Sequence, residues 1–600
     1  MKRREALALT GVAALPGAGS ATTTTNAAGR KVLRVVFPVA ETGFDPARVS
    51  DVYSATINGH IFEAPLGYDH LARPVKLRPR VAASLPEASA DHRVWTIRLR
   101  PGLFFADDPA FKGVKRELVA ADFVYSLKRF ADPATKSPNW PSTAEFKILG
   151  LLELREKALK DKTPFDYDTD IEGLRALDRH TLQITLGRSR PRFAESLANS
   201  QTYGAVAREV VEFYGDKIME HPVGTGPFRL VQWRRSSRIV LERNPNYRQP
   251  AWESEPAADD AEGQAIAKQL HGRTLPLVDR VEVSVVEEAQ PRWLSFLNAQ
   301  IDLVAVPQEF GAQAMPGGKL APHLARKGVR GWRFTTPSTQ FSFFNMEHPV
   351  VGGYAPHQVA LRRAIFLAYD VQREIDQVYR GAGIRAQSMV NPLGSGYDPA
   401  FTSDAASYSP ARAKALLDLY GYTDKDGDGW RERPDGQPLV IEFSTQPEGL
   451  SRQLDELWKK AMDAVGIRIV FKPAKWPENL KSARAGKVMM WRLGSTATVS
   501  DGQQVLQRLY GPEKGQGNIA RFQLKAFDEV FDRLTVLPDG PEREQLFRQA
   551  KRLMVAWAPY RAHLHAYADI VAHPWLVGYR RPVFWYDWWQ HVDVLPHADA

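Results

Sequence analysis

The chain has 600 residues, 44% hydrophobic and 25% charged, with a net charge of +10 from 79 Lys+Arg against 69 Asp+Glu. Such a balance is globular and excludes a disordered or fibrous protein, while the dispersed basic residues do not suit a nucleic-acid partner. The absence of cysteine removes disulfides, thiolate metal sites and thiol catalysis, and no apolar run reaches the ~20 residues of a membrane helix.

In chain order, Lys2, Arg3 and Arg4 precede a short apolar stretch at 6–15 and small residues to Ala21. This order predicts an export signal over residues 1–21, followed by a flexible polar leader at 22–30. The arginine pair ahead of a weakly apolar core resembles a twin-arginine signal, and without cysteine there is no lipoprotein anchor. Residues 32–38 open the folded part as a strand. At 94–100, Trp95, Ile97 and Leu99 alternate with polar residues, which predicts a half-buried strand closed by Pro101-Gly102. Phe123, Val124, Leu127 and Phe130 have helical spacing that Asp132-Pro133 ends. Strands are expected at 182–186 and 281–286, with a hairpin at 228–233 and 239–242. Residues 251–273 lack apolar periodicity and read as a surface insertion.

Further along, 361–369 and 375–379 are amphipathic helix pieces. Ser409 as N-cap, Pro410 at the first position and Gly421 beyond the end bracket another helix. A helix at 454–465 lies between strands at 439–443 and 467–471. The interleaving predicts an α/β protein with mixed sheets.

Four segments, in order, carry a family pattern: WTIRLRPGLFF at 95–105 with ADFVYSLKR at 121–129; PVGTGPFRL at 222–230 with LERNPNY at 241–247; LRRAI at 361–365 with YSPARAKALL at 408–417; and HPWLVGY at 573–579. The chain resembles the large extracytoplasmic solute-binding proteins of ABC importers, the family 5 group of peptide- and nickel-binding proteins. The resemblance implies a two-lobed periplasmic binding protein fold of the large peptide-binding type, with hinge strands and an extra subdomain in the N-terminal lobe. It places lobe I at about 30–335 plus 565–600, its inserted subdomain at about 70–222, and lobe II at 336–564. It implies a non-catalytic periplasmic monomer that takes a peptide or peptide-like solute and hands it to an inner-membrane permease, with no cofactor.

By the same resemblance, Glu41 follows the first strand where relatives contact ligand, Gln340, Phe341 and Asn345 lie on a hinge strand, and Trp491 and Arg492 begin a ligand-contacting segment. In peptide-binding relatives that segment carries an aspartate for the peptide ammonium. Here Thr498 takes its place, which leaves Glu41 or Asp501 as a substitute or points to a solute without a free amine: an oligosaccharide, an opine-like compound or a metal chelate. His563 and His565 share a strand face and read as cleft-lining groups or metal ligands. Asp424, Asp426 and Asp428 before Gly429 fit either a structural calcium loop or a plain Asp/Gly turn, although Asp435 stands where such loops carry Glu. An exported hydrolase is the rival function, but the chain has no Gly-x-Ser-x-Gly or His-Glu-x-x-His.

Overall fold

Alternating burial builds the first strand, Val32–Phe37, which turns Leu33, Val35 and Phe37 inward. It runs parallel to Arg280–Val285, which pairs antiparallel with Arg238–Arg243, the second half of a hairpin with Phe228–Arg234. The computed structural model describes residues 30–596; the residues before 30, read above as signal and leader, lie outside it. Gly224 and Gly226 ahead of the hairpin are needed for close approach. A Cβ on Gly224 would lie 2.0 Å from the Ile61 carbonyl oxygen, and one on Gly226 would lie 2.7 Å from it. The Gly226 amide donates to that oxygen at 2.8 Å.

A second sheet orders Glu87–Ala88, Val94–Arg98, Thr181–Thr185 and Leu174–Asp178, all antiparallel. The helix Ala120–Ala131 packs on it through Phe123 and Leu127, and Asp132 caps the short turn that follows. The hydrophobic cluster enclosed here draws all its buried members from residues 64–223.

The largest sheet is mixed. Its order is Leu303–Ala305, Tyr560–Ala572, Arg330–Phe344, Met490–Thr496, Val440–Thr445 and Arg468–Pro473, with Gly383–Arg385 added on Tyr560–Ala572. Arg330–Phe344 and Tyr560–Ala572 are long enough to serve two cores. Trp332, Phe334, Ile570 and Ala572 pack with the first sheet, while Phe341, Phe343, Tyr560 and Ala562 pack in another cluster. Between these two groups the pairing register shifts, from Thr335 to Thr339 and again from Gln340 to Phe341. Full burial of a phenylalanine such as Phe341 or Phe343 contributes about 1.5–3 kcal/mol.

The helix Pro410–Leu419 has Ser409 as N-cap, accepting from the Arg412 amide, and Gly421 adopts a φ of 80° just past its end. Gly449–Asp463 joins the parallel strands Val440–Thr445 and Arg468–Pro473. Two expectations need correction. Residues 251–273 are not a plain surface insertion: Trp252 is fully buried, and the helix Ala261–Leu270 places Ile266 and Leu270 one turn apart in the same cluster. One distant tryptophan and a single i, i+4 pair are too few apolar positions to reveal a period. The piece at 375–379 is a π-type turn, Glu374–Val378, with Glu374 fully buried at its start. Among the described residues no helix is long and apolar enough to cross a membrane.

Candidate functional site

A cleft of about 500 Å³ lies between two sets of segments, a size suited to a small ligand. One wall comes from the second sheet's surroundings: the helix Trp140–Ala144, then Phe193–Ser196 and Ser200–Tyr203. The other comes from the helix Trp476–Arg484, the end of the Met490–Thr496 strand, and the loop and turns that follow as far as Arg508. Phe146, Phe193, Tyr203 and Trp476 supply aromatic surface. The Tyr203 hydroxyl is buried without a hydrogen-bond partner, and burial pushes its pKa up.

Four carboxylates and five arginines line the cleft. Glu145 pairs with Arg190 at 3.2 Å. Glu195 pairs with Arg192. Both oxygens of Asp501 accept from Nη2 of Arg543, at 2.9 and 2.7 Å, and Nε of Arg192 lies 3.7 Å away. Asp51 caps the helix Val52–Ile61: one oxygen accepts from the Ser54 amide at 2.8 Å, the other from the Thr42 hydroxyl at 2.6 Å. Arg484 and Arg508 have no carboxylate partner among the described residues.

The two walls are bonded to each other. The Ser500 amide and hydroxyl both donate to Oε2 of Glu195, at 3.1 and 2.8 Å. Arg192 reaches Asp539 at 2.6 Å, Arg188 reaches Asp532 at 3.1 Å, and Arg484 approaches the Pro138 carbonyl at 3.4 Å.

Of the residues singled out in the sequence, Thr498 and Asp501 line this cleft. Thr498 is tied to Gln504: its amide donates to Oε1 at 3.0 Å, and Nε2 donates to its hydroxyl at 2.8 Å. The other eight, His563 and His565 among them, lie off the cleft lining. Glu41 is buried, with Oε1 accepting from the Trp233 indole and the Ser236 amide. Gln340 covers Gly494, Phe341 is in the core, and Asn345 donates to the Gly486 carbonyl at 2.9 Å. Trp491 is buried beneath Trp476, with ring centroids 5.1 Å apart. Arg492 is spent on Glu374 and donates to the Tyr379 hydroxyl at 3.1 Å.

Glu374 also bonds Nδ1 of His563 at 2.8 Å and accepts from the Tyr369 hydroxyl at 2.8 Å. Burial alone would raise its carboxyl, but Arg492 and His563 hold it at about 2. His563 bonds Ser342 with its other nitrogen, and His565 bonds Thr339. Burial lowers both histidines to about 4. Both nitrogens of His563 are thus bonded inside the protein, while Nε2 of His565 is buried without a partner.

In the Asp/Gly loop, Asp424, Asp426 and Glu432 converge to within 4.8 Å, whereas Asp428 turns away to Arg468. Asp424 accepts from the Gly427 and Gly429 amides, so the loop's own backbone organises it. Trp476, Tyr203, Arg484 and Arg508 were missed in the sequence. No motif marks them, because their common feature is the cavity they reach from separate parts of the chain.

A family model of bacterial extracellular solute-binding proteins, family 5, matches residues 76–517. The chain is 26% identical to heme-binding protein A of Haemophilus influenzae over 530 residues, covering 86% of this chain and 84% of that protein. It is 25% identical to di/tripeptide-binding protein 2 of Pseudomonas aeruginosa over 564 residues, 92% of each. In structure it resembles the periplasmic binding protein DppA from Helicobacter pylori in complex with peptide STSA, with a TM-score of 0.73, 20% identity, and coverage of 94% of this chain and 98% of that one. With its mixed sheets, its two long strands and a cleft between two walls, the chain has the two-lobed fold and belongs to the bacterial extracellular solute-binding proteins, family 5.

Proposed function

We propose that this protein is the extracytoplasmic receptor of an ABC importer, capturing a peptide or peptide-like solute in the cleft and delivering it to an inner-membrane permease. The observation that carries this reading is the cleft of about 500 Å³, in a chain whose family match spans 76–517. The di/tripeptide-binding relative supports the solute class. Periplasmic residence, through the signal read at 1–21 and by the twin-arginine route, belongs to the same reading, as does a monomeric state. The long strands Arg330–Phe344 and Tyr560–Ala572, each shared by two cores, favour hinges there. That fits lobe I at about 30–335 plus 565–600, with a subdomain at about 70–222, and lobe II at 336–564.

A second reading, a non-peptide solute, rests on Thr498, whose hydroxyl and amide engage Gln504 and whose side chain carries no charge for an ammonium group. Thermal unfolding of the purified protein against peptides, oligosaccharides and metal chelates separates the two. A ligand at 100 times its dissociation constant adds about 2.7 kcal/mol of stability. A rise in midpoint with peptides supports the first reading. A rise with another class alone replaces it with the second.

A further inference from the structure

Three histidines from separate parts of the chain come together in the interior. His60 lies in the last turn of Val52–Ile61, His70 follows the strand Leu66–Tyr68, and His591 ends the turn Trp589–His591. His60 and His70 are buried and His591 is half-buried. The His70 ring stacks on the His591 ring with centroids 4.9 Å apart, and the His60 ring stacks on Trp589 at 3.9 Å. Nε2 of His70 donates to the Gly578 carbonyl at 2.9 Å, which leaves its Nδ1 a bare acceptor, buried without a partner. Nδ1 of His591 and both ring nitrogens of His60 are likewise buried without a partner.

The charges around the three rings offer no free counter-ion. His60 faces Arg80; His70 faces Arg73, Asp69 and Asp587; His591 faces Arg78 and Arg80 besides the other two histidines. Asp69 is already paired with Arg78 at 2.7 Å, and Asp587 with Arg80. Glu63 and Tyr247, which face Arg80, are taken by Arg248 at 2.7 Å and by Gln590 at 3.0 Å. Burial, reinforced by Arg80 for His60 and by His70 and Arg80 for His591, lowers both well below 6.5, and burial lowers His70 to about 4. An imidazolium formed here stands beside arginines, with no acceptor for its new proton.

The same histidines seat an irregular segment, 584–591. Trp589 lies on His60, Asp587 pairs with Arg80, and His591 lies on His70. The other side of the segment reaches the cleft, whose lining includes Tyr586. Phe584 and Trp585 pack with Tyr68, with Ala198 of one wall, with Ala497 of the other, and with Leu393. The Tyr68 and Trp585 rings stack with centroids 5.0 Å apart.

We propose that His60, His70 and His591 form an acid-sensitive anchor for residues 584–591. A proton taken up there unseats the segment, withdraws Phe584 and Trp585 from Leu393 and Ala497, and opens the cleft while the rest of the chain stays folded. In the unseated form the histidines return toward the ordinary value of about 6.5 and bind more protons than in the seated form. The seated form is therefore favoured above pH 6.5 and loses ground as pH falls. Each histidine shifts the balance by up to about tenfold per pH unit. The device acts on the contact between the walls, whatever solute the cleft takes.

The test uses the purified full chain without added solute, at constant ionic strength from pH 7 to 4.5. Small-angle scattering reads the radius of gyration, far-UV circular dichroism reads the fold, and hydrogen exchange reads residues 584–591. His60→Phe keeps an aromatic ring on Trp589, and His70→Gln keeps a donor for the Gly578 carbonyl; neither new side chain takes a proton. The wild type is expected to expand near pH 5 with its dichroism intact and with faster exchange at 584–591, corrected for the intrinsic effect of pH. Each variant is expected to expand at least half a pH unit lower.

A radius that stays constant while the wild type remains folded would overturn the anchor. So would expansion only together with loss of dichroism, expansion without faster exchange at 584–591, or folded variants that expand at the wild-type pH. Should neither variant fold, the wild-type exchange pattern decides alone.

Discussion

Asp501 is bound inside the protein by Arg543, both of its oxygens accepting from the one nitrogen Nη2, at 2.9 and 2.7 Å. The sequence offered Asp501 as a replacement partner for a peptide ammonium. In the fold its charge neutralises an arginine whose side chain is 2% exposed. Asp501→Asn should therefore act on stability. Leaving a buried guanidinium with only the exposed Asp539 beside it is expected to cost about 3 kcal/mol, read as a lower urea midpoint. An unchanged midpoint, with affinity lost only for amine-bearing ligands, would return Asp501 to the ligand.

Glu195 and Ser500, about 300 residues apart in the chain, are joined across the cleft by two hydrogen bonds to one carboxylate oxygen. Bonds to a charged acceptor contribute about 1.5–3 kcal/mol each. Glu195→Ala should shift the ligand-free protein toward an open form, seen as a larger radius of gyration in small-angle scattering. Identical scattering curves would show that these bonds do not hold the walls together.

Four buried histidines and the half-buried His591 are held neutral. Burial lowers His70, His563 and His565 from 6.5 to about 4, and His60 and His591 well below 6.5. With the folded pKa depressed, the unfolded chain binds more protons between pH 6.5 and 4. The stability tied to these groups is complete above 6.5 and is lost as pH falls through that window. Each histidine contributes a slope of up to about 1.4 kcal/mol per pH unit. The urea midpoint at pH 5 should lie well below that at pH 7, and equal midpoints would contradict the assignment.

Glu374 neutralises Arg492 in the interior and anchors His563 and Tyr369. Glu374→Gln leaves a buried arginine unpaired and is expected to destabilise by about 3–5 kcal/mol. Because Arg492 lies off the cleft lining, the surviving folded fraction should keep its ligand affinity. A large affinity loss at full stability would place Arg492 at the ligand instead.

Glu41 accepts from the Trp233 indole and the Ser236 amide. Glu41→Ala strands both donors in a buried setting, an expected loss of about 1–3 kcal/mol, measured by denaturation. Selective loss of cationic ligands without destabilisation would restore the ligand role that the family resemblance suggested for this residue.

Elements with strong local signals were legible. The strand at Val94–Arg98 follows from alternation of Trp95 and Ile97, and the helix Pro410–Leu419 from Ser409, Pro410 and Gly421. The family resemblance likewise placed Gln340 and Phe341 on one of the two long strands, with Asn345 just past its end. Trp252, Ile266 and Leu270 escaped because a lone tryptophan and one i, i+4 pair within nineteen mostly polar residues are too few to mark a face. Glu374 escaped because a π-type turn, which amphipathic spacing does not forecast, carries it inward to Arg492.

The sequence by itself determined the family, the interleaved α/β order and the neutral residue at Thr498. Each is a property of residue identity or local spacing. Only the tertiary structure decided which charges remain for a ligand. Asp501, Glu41 and Arg492 read alike as candidate contacts along the chain, but in the fold Arg543, Trp233 and Glu374 engage them from far away in sequence, with Oε2 of Glu41 left buried without a partner. Arg484 and Arg508 carried no signal, yet they reach the cleft unpaired. Charge is written in the sequence, but its neutralisation depends on distance in the folded chain.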